Sequence, residues 1–423
     1  MIKKIILGIS LLFSTVILAQ EGTASPYSFY GIGDVKFKGT NENRAMGTVG
    51  VFVDSIHVNL QNPASYSFLK YTSLTVGGAN TRTTFKTNSQ EENAQRTTID
   101  YLAVGLPLGK AGVSFGVIPY TAVGYKVQRV TTADNIFGES ETRTETFQGE
   151  GGLNKVFLGG AYKITPKLSF GMDLQYSFGG IETKSVVFIT DPAIAVGSRT
   201  KNESTYSGLS VTAGLFYHTK LKNNLEWSNS FTFAPKSNLN SDNSRNVALV
   251  TYGITGAEFI GDNSDVEVAD SKFKIPSKVS FGTAFGKSKK WFVGTEVTLQ
   301  GKNDARSEAN SSNVGYESAT RFAVGGFYIP KYNSFRNYFE RIVYRAGFRY
   351  ENTGLIKNNQ SIRDTGVSLG FGFPVGTSIS NINLGFEYGK KGTTSNNLIQ
   401  ENYFAINIGL SFSDRWFVKP KYD

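Results

Sequence analysis

Two short motifs in the sequence have the residue types and the spacing of a catalytic serine. Gly112-Val113-Ser114-Phe115-Gly116 has the Gly-x-Ser-x-Gly pattern, which presents a nucleophile at a strand-to-helix turn. Ser67-Phe68-Leu69-Lys70 has the Ser-x-x-Lys pattern of a lysine-assisted serine. The first motif lies inside a strand-like alternating stretch, and the second lacks a companion Lys-Thr-Gly motif. We therefore predict that both serines are structural, with Ser114 a small residue facing an interior.

Acid–base and metal chemistry have few candidate residues in this chain. Its 423 residues include two histidines, His57 and His218, and no cysteine. We assign His57 to an N-terminal plug and His218 to the neighbourhood of a turn, so no imidazole pair for proton transfer or metal binding is expected. The lack of cysteine excludes disulfides and thiolate metal sites. The sequence therefore predicts a protein that is not an enzyme, with no catalytic residues, no metal and no cofactor.

The first twenty residues have the pattern of an export signal. Lys3 and Lys4 form a positive region, residues 5–18 form an apolar run, and Ala19 is a small residue at the cleavage position. The alternative is an uncleaved anchor helix, which the shortness of the apolar run disfavours. We predict a signal peptide over residues 1–19.

The elements of the mature chain alternate apolar and polar residues in a way that predicts membrane strands. The chain has 46 Gly, 32 Phe and 21 Tyr, yet its mean hydropathy is −0.21. Phe170, Met172 and Leu174 alternate with polar or small residues, and the same period recurs in 342–350, 382–389 and 404–412. Strands that separate the two sets completely fit a barrel with one face in lipid. A water-soluble β-sandwich is the weaker alternative, because its inner face would not carry arginine.

The connections between these strands are alternately short and long, as transmembrane barrels require. The short ones are basic, and we place them in the periplasm; they are 109–112, 165–167, 218–224, 286–290 and 374–380. The long polar ones are placed outside the cell; they are 81–96, 131–143, 191–203, 236–268, 301–316, 351–361 and 390–400. These breaks predict an all-β fold, a transmembrane antiparallel β-barrel of about fourteen strands, uncertain by two.

Three segments follow the predicted signal peptide. Residues 20–70 do not alternate, and we predict that they form an N-terminal plug (hatch) in the lumen; a periplasmic tail is the alternative. Residues 71–412 form the barrel. Residues 413–423 form a periplasmic C-terminal tail, in which Trp416, Phe417 and Lys419 contact a partner or the lipid interface.

The charges suggest partners but no nucleic acid. The net charge of +10 is scattered along the chain and forms no patch. Anionic outer-membrane lipids or lipopolysaccharide are the more natural counterpart, unless the charge only keeps turns hydrated. Inside the barrel, alternation predicts a set of lumen charges that fix the plug, guide a carboxylate head group, or pair across the lumen. They are Arg341, Arg345, Arg349, Asp173, Glu296 and Glu387.

Distinctive residues of the predicted plug and early strands are the run 44–51 with Met46-Gly47, the run 59–65 with Asn62-Pro63-Ala64, and 115–120 with 124–125. In these residues the plug and early strands resemble the FadL-like family of outer-membrane transporters, in the versions common in the Bacteroidota. The residues 414–419 also resemble the endings of such barrels. The resemblance implies a fourteen-stranded barrel in the outer membrane of a Gram-negative cell. It also implies that Met46, Gly47, Asn62, Pro63 and Ala64 belong to a hatch that meets a hydrophobic ligand.

The family resemblance further implies a lateral opening where the third strand is kinked, and Pro119 falls in the predicted third strand. Proline has no N–H to donate to the sheet, so it marks an edge, a bulge or a break. A side exit from lumen to lipid is the functional interpretation, and a β-bulge that only re-aims the strand is the alternative.

Two functions follow from this reading. The first is passive uptake of hydrophobic or amphipathic small molecules with lateral release near Pro119. The second is a non-transporting accessory or structural barrel in an outer-membrane secretion or protein-assembly complex, because relatives of this fold have such roles and fold alone does not decide function. Its complex subunits would be contacted through the loop 236–268 or the tail 413–423.

Overall fold

Long antiparallel strands make up most of the described chain. The computed structural model describes residues 22–134, 140–190, 196–253, 257–303, 313–375 and 379–415. Within them, no helix is long and apolar enough to cross a membrane. The strands are β1 (Asp34–Val35), β2 (Thr72–Lys86), β3 (Glu91–Leu108), β4 (Ala111–Asp134), β5 (Ser140–Lys163), β6 (Leu168–Thr190), β7 (Gly197–Lys220), β8 (Leu225–Ala234), β9 (Ser237–Tyr252), β10 (Glu258–Glu267), β11 (Ser271–Ile275), β12 (Lys278–Lys287), β13 (Trp291–Gln300), β14 (Val314–Tyr316), β15 (Ala319–Tyr328), β16 (Val343–Lys357), β17 (Gln360–Pro374), β18 (Asn381–Lys391) and β19 (Gln400–Asp414).

The segments β2 to β19 form the fourteen strands of a closed barrel, which confirms the predicted fold class. Each pairs antiparallel with its neighbours along the chain, and β19 pairs with β2 from Gln400↔Lys86 to Asp414↔Thr72 to complete the ring. Three barrel strands are interrupted. β8 continues as β9 past Pro235, β10 and β11 continue as β12 past Pro276, and β14 continues as β15. Proline interrupts the ladder because it cannot donate a backbone hydrogen bond.

The lipid-facing alternation is confirmed along β6. Phe170, Met172, Leu174 and Tyr176 are exposed on the outer surface, whereas the residues between them are buried toward the lumen. Lipid solvates this outer face, so large apolar side chains are stable there without being packed by protein.

The predicted long loop 236–268 is wrong, because most of it forms strands β9 and β10. Strand β9 pairs with the outer part of β7, from Gly197↔Val250 to Ser207↔Asn240, so the wall of the barrel continues through this segment. Apart from the buried Leu239, residues 237–246 are polar on both faces of the strand, so they lack the apolar alternation of a lipid-facing strand. The predicted loop 131–143 is shortened for the same reason, since β4 and β5 extend into it.

The plug lies in the lumen as predicted. Three short helical turns shape it, at Pro26–Phe29, Asn41–Arg44 and Pro63–Phe68. Buried apolar residues between and within these turns pack against the inner face of the wall; they include Met46, Val49, Val51, Leu60 and Tyr66. The predicted signal peptide lies outside the described residues.

Candidate functional site

The periplasmic half of the lumen is filled because the plug backbone touches the wall directly. A side-chain carbon added at Gly347 would lie 2.0 Å from the backbone N of Gly47, and one at Gly325 would lie 2.1 Å from the carbonyl O of Met46. Such distances leave no room for any side chain but hydrogen. We call the wall glycines in contact with the plug the glycine belt; its members are Gly105, Gly112, Gly171, Gly214, Gly282, Gly294, Gly325, Gly347, Gly370, Gly385 and Gly409.

The predicted hatch residues lie mainly in this filled half. The Asn62 side chain accepts a hydrogen bond from Ala64 N at 3.0 Å and so caps the turn that Pro63 begins, and its Nδ2 donates to Leu215 O at 3.0 Å. The backbone N of Gly47 donates to Ser368 Oγ at 3.0 Å, and Met46 is fully buried. Asn62 alone of the five also lines the cavity described below.

Two of the predicted lumen carboxylates attach the plug to the wall. Glu296 Oε2 accepts a hydrogen bond from the backbone N of Gly50 at 2.8 Å. Asp173 lies 3.2 Å from Lys38 Nζ of the plug and is completely buried. Buried carboxylates are stable only when they are hydrogen-bonded or paired, and the plug supplies these partners.

The predicted arginine ladder is partly wrong. Arg345 and Arg349 point into the lumen from β16, but Arg341 lies in a helical turn, Tyr338–Arg341, before the strand begins. Asn337 caps that turn by accepting from Phe339 N, so the backbone at Arg341 is not extended. Arg349 contacts Asp364 Oδ2 at 3.1 Å and Glu387 Oε1 at 2.9 Å, so two carboxylates already balance its charge.

A cavity of about 500 Å³ lies above the filled half of the plug. Charged pairs line much of it, including Arg44 with Asp100 at 3.0 Å and Lys391 with Asp34 at 2.6 Å. Apolar residues line its remaining walls; among them are Ile118, Pro119, Tyr120, Phe273, Ile275, Leu355 and Ile362. The lining is therefore amphipathic.

Two lysines in the cavity have no carboxylate within ion-pair distance in the part of the chain that the structure describes. Lys155 Nζ lies 3.7 Å from the centre of the Tyr120 ring and 3.4 Å from Gln175 Oε1. Lys278 stands at the start of β12 and lines the same cavity. Lys38 of the plug also lines it, so three lysine side chains share this cavity.

The barrel wall is open between β3 and β4 above the periplasmic half. These strands pair only from Leu102↔Val117 to Leu108↔Ala111, whereas β4 stays paired with β5 up to Asp134↔Ser140. Pro119 lies two residues above the last β3–β4 pair, and a β-bulge separates it from Thr121. The upper edge of β4 is therefore not bonded to β3.

Residues 22–36 of the plug, here called the stopper, occupy this open edge. Asp34 and Val35 pair with Ala122 and Thr121 of β4, so β1 takes the place that β3 leaves. On the other side, Arg96 of β3 donates to Thr23 O at 3.4 Å. Burial opposes ionisation of Asp34, but the ammonium group of Lys391 outweighs it and holds the pKa of Asp34 below its ordinary value.

The motif serines have ordinary structural partners. Ser114 is buried within β4 and its Oγ donates to Val104 O at 2.9 Å, while Ser67 Oγ donates to Ala64 O at 3.1 Å. His218 Nδ1 lies 3.0 Å from Ser228 Oγ. Among the described residues, no group of three or more His, Asp or Glu side chains could hold a metal ion.

His57 lies in the plug between two carboxylates. Its Nδ1 is 2.5 Å from Asp54 Oδ2, and its Nε2 is 3.5 Å from Glu42 Oε1. Burial disfavours the imidazolium form, but Asp54 outweighs this effect, so the pKa of His57 is raised above its ordinary value. The same contact leaves the pKa of Asp54 lowered despite its burial.

The BamG family model matches the sequence over residues 1–423. The chain belongs to the BamG family. No curated protein matches it by sequence.

Solved structures with the same architecture are outer-membrane channels of low sequence identity. The Pseudomonas putida toluene transporter TodX is 15% identical with a TM-score of 0.57, and the match covers 91% of this chain and 100% of that one. The Ralstonia pickettii toluene transporter TbuX is 12% identical with a TM-score of 0.57, covering 89% and 99%. A Pseudomonas aeruginosa FadL homologue is 12% identical with a TM-score of 0.54, covering 90% and 98%. At this identity the similarity establishes the fold.

This BamG-family chain is therefore a multi-pass outer-membrane β-barrel with a FadL-like fold.

The sequence alone did not predict a role for Lys155, Lys278 or the stopper. Lys155 was detectable in principle, because it is the inward residue of an alternating stretch in β5. The stopper was not, because β1 is only two residues long and its pairing with β4 depends on the whole barrel.

Proposed function

We propose that this barrel takes up amphipathic anions that carry an apolar tail, and that it releases them sideways through the gap between β3 and β4. The observation that supports this most directly is that one cavity contains both Lys155 and Pro119 and so reaches the stopper. Toluene transporters share the fold, but the charge in this lumen favours a ligand with a polar head.

The lining explains the choice of ligand. Lys155 and Lys278 have no carboxylate partner within the described ranges, so an anionic head group would gain their charge without displacing an existing ion pair. Ile118, Pro119 and Tyr120 stand beside Lys155, on the side of the wall gap. A carboxylate or phosphate at the lysines would therefore place an apolar tail toward the lipid.

The proposed exit requires the stopper to move while the rest of the plug stays in place. The stopper is bonded to β4 by β1 and by Lys36 N to Tyr120 O at 2.9 Å. The stopper is also bonded to the far wall by Ser25 Oγ to Glu401 Oε1, by the Tyr27 hydroxyl to Ile399 O and by Asp34 to Lys391, so its movement must break these side-chain bonds. The lower plug is held instead by close contacts with the eleven wall glycines of the glycine belt.

A disulfide across the stopper and β4 tests this route. The chain has no cysteine, and Val35 and Thr121 are directly opposite each other, so Val35→Cys with Thr121→Cys would form a unique crosslink. We expect the oxidised variant to take up labelled palmitate at least about tenfold more slowly than the reduced one, because the disulfide fixes the stopper to β4 and keeps the exit closed. Uptake is measured in whole cells with and without dithiothreitol.

A matched control carries the crosslink in a continuous part of the wall. Leu384 and Ile408 are opposite each other in β18 and β19, so Leu384→Cys with Ile408→Cys adds a disulfide away from the gap. Its uptake should not depend on the reductant. Equal uptake by the oxidised and reduced Val35–Thr121 variants would contradict lateral release.

A second candidate function is an accessory barrel of an outer-membrane complex, and the fixed lower plug favours it. A barrel whose lumen is sealed by its own backbone contacts is suited to a structural role. The predicted contacts at 236–268 and 413–423 remain hypotheses, and Trp416, Phe417 and Lys419 lie outside the described residues. Because β19 extends to Asp414, the segment after the barrel begins at 415 and not at the predicted 413. Purification from native membranes tests this function: subunits in equal amounts that are lost when 415–423 are removed would support it, and an isolated barrel would count against it.

A further inference from the structure

One periplasmic connection differs from the others. Strands β15 and β16 are joined by residues 329–342, here called the periplasmic loop, whereas the other connections on that side are 109–110, 164–167, 221–224, 288–290 and 375–380. Short turns are sufficient to reverse antiparallel neighbours. The additional length of the periplasmic loop is therefore not needed to build the barrel.

The periplasmic loop exposes several aromatic side chains. Phe335 is 100% exposed and Phe339 is 69% exposed, and Tyr332 and Tyr338 are also exposed. Leaving a phenylalanine in water is unfavourable compared with burying it. A cluster of aromatic residues kept in water at one place is typical of a surface that a partner covers.

The periplasmic loop is held in one shape. Lys331 N donates to Glu340 O at 2.8 Å, which closes the loop around its tip. The Tyr338 hydroxyl donates to Pro374 O at 3.0 Å, and the Tyr344 hydroxyl donates to Phe339 O at 3.2 Å. Because the backbone is fixed beforehand, binding through Phe335 would lose little conformational freedom.

Positive charge surrounds the exposed rings. Lys331, Arg336 and Arg341 lie in the periplasmic loop, and Lys289 contacts the Tyr332 ring at 4.5 Å from its centre. The loop contains one carboxylate, that of Glu340. This imbalance complements an acidic surface.

The position of the periplasmic loop favours a protein over lipid as its partner. Tyr328 ends β15 and Tyr344 is the second residue of β16, on the outer face, where aromatic residues mark the interface between membrane and water. The loop begins after Tyr328, so its tip lies beyond this level on the periplasmic side. We propose that the periplasmic loop docks a periplasmic protein that presents an acidic face with an apolar pocket for Phe335. This proposal does not depend on whether the barrel passes a ligand.

A spin label distinguishes a protein site from a lipid anchor. Since the chain lacks cysteine, Phe335→Cys carries a single label, and Leu369→Cys provides a lipid-facing control on β17. In vesicles of phosphatidylethanolamine and phosphatidylglycerol, we expect the label at 335 to collide with a water-soluble nickel complex, and the label at 369 to collide with oxygen. A lipid-like result at 335 would overturn the proposal.

Photo-crosslinking in intact cells tests the partner itself. A benzoylphenylalanine at position 335 should give one discrete adduct, whose protein is then purified and titrated against the full barrel. Because the partner face is proposed to be acidic, Lys331→Glu with Arg336→Glu should weaken binding at least tenfold, and Phe335→Ala should do the same. Phe259→Ala, an exposed aromatic change at the opposite end of the barrel in β10, should leave binding unchanged. No adduct, or binding insensitive to the charge reversal, would refute the docking site.

Discussion

The two halves of the lumen are built in opposite ways. In the periplasmic half, wall glycines let the plug backbone fill all the space, as at Gly347 against Gly47. In the outer half, long charged side chains keep the plug and wall apart and leave a cavity of about 500 Å³. The wall differs as well, since β3 and β4 are paired only in the lower half. This difference is the basis for the proposed exit through the wall of the upper half.

Accessibility to a reagent from outside should show the largest difference between the halves. Thr212→Cys places a thiol in the cavity lining, and Val49→Cys places one in the filled half. A membrane-impermeant maleimide added to intact cells should label position 212 roughly a hundredfold faster, because position 49 reacts only when the plug opens locally. Comparable rates would mean that the lower plug moves and that the two halves of the lumen do not differ in accessibility.

A bulky residue in the glycine belt should disturb the lower half strongly. In Gly347→Val, the added carbons would meet the backbone of Met46 and Gly47, and overpacking of this kind costs about 1–3 kcal/mol. The temperature at which the barrel loses its compact form on a gel should fall. Gly160→Val is the matched control, because a side-chain carbon there has nothing within 4 Å. An equal shift in both variants would show that strand propensity, and not plug contact, is responsible.

Replacement of Lys155 and Lys278, which have no carboxylate within ion-pair distance among the described residues, should affect the upper half without affecting stability. Lys155→Gln and Lys278→Gln should each lower the uptake of palmitate by about tenfold, since a charge-assisted hydrogen bond contributes about 1.5–3 kcal/mol. Uptake of toluene, which has no head group, is the control and should change little. If both probes slow down together, the lysines act on the structure of the wall and not on the head group.

The smallest effect is expected from His57, as a dependence of stability on pH. The pKa of His57 is raised in the folded protein, so its charged form stabilises the fold. This stabilisation is complete at a pH below the ordinary histidine pKa, and it is lost as the pH rises through the raised pKa of His57. The difference in unfolding temperature between the wild type and His57→Gln should therefore shrink from pH 6 to pH 9. Asp54→Asn removes the carboxylate responsible and should show the same trend. A difference that grows with pH would contradict the assignment.

The sequence predicted those parts of the fold in which one face of a strand meets lipid. Phe170 to Tyr176 alternate with buried residues because the membrane requires it, and this local rule is visible without a structure. Strand β9 was predicted to be a loop because residues 237–246 are polar on both faces except for Leu239. Arg341 was misplaced because Asn337 caps a turn that interrupts the alternation.

The site was less predictable than the barrel. Gly347 and Gly409 occupy inward positions in the alternating pattern of their strands, so the sequence shows the glycines of the belt. It does not show what they contact. The meaning of the glycine belt depends on which plug residue lies opposite each glycine, and that is set by contacts between distant parts of the chain. Among the described residues Lys155 contacts the Tyr120 ring and Gln175 and has no carboxylate within ion-pair distance, and no local sequence pattern predicts these surroundings.

The plug has a consequence for the order in which the molecule is assembled. Asn41 Nδ2 donates to the carbonyl groups of Asn383 and Asn407, so a residue translated before the first barrel strand is bound by the last two. The seam between β2 and β19 joins the two ends of the barrel sequence around this residue. The glycine belt leaves no space through which the plug could enter a closed barrel. The last strands must therefore pair around a plug that is already in place. Pairing of β19 with β2 is then the step that fixes the plug in the lumen.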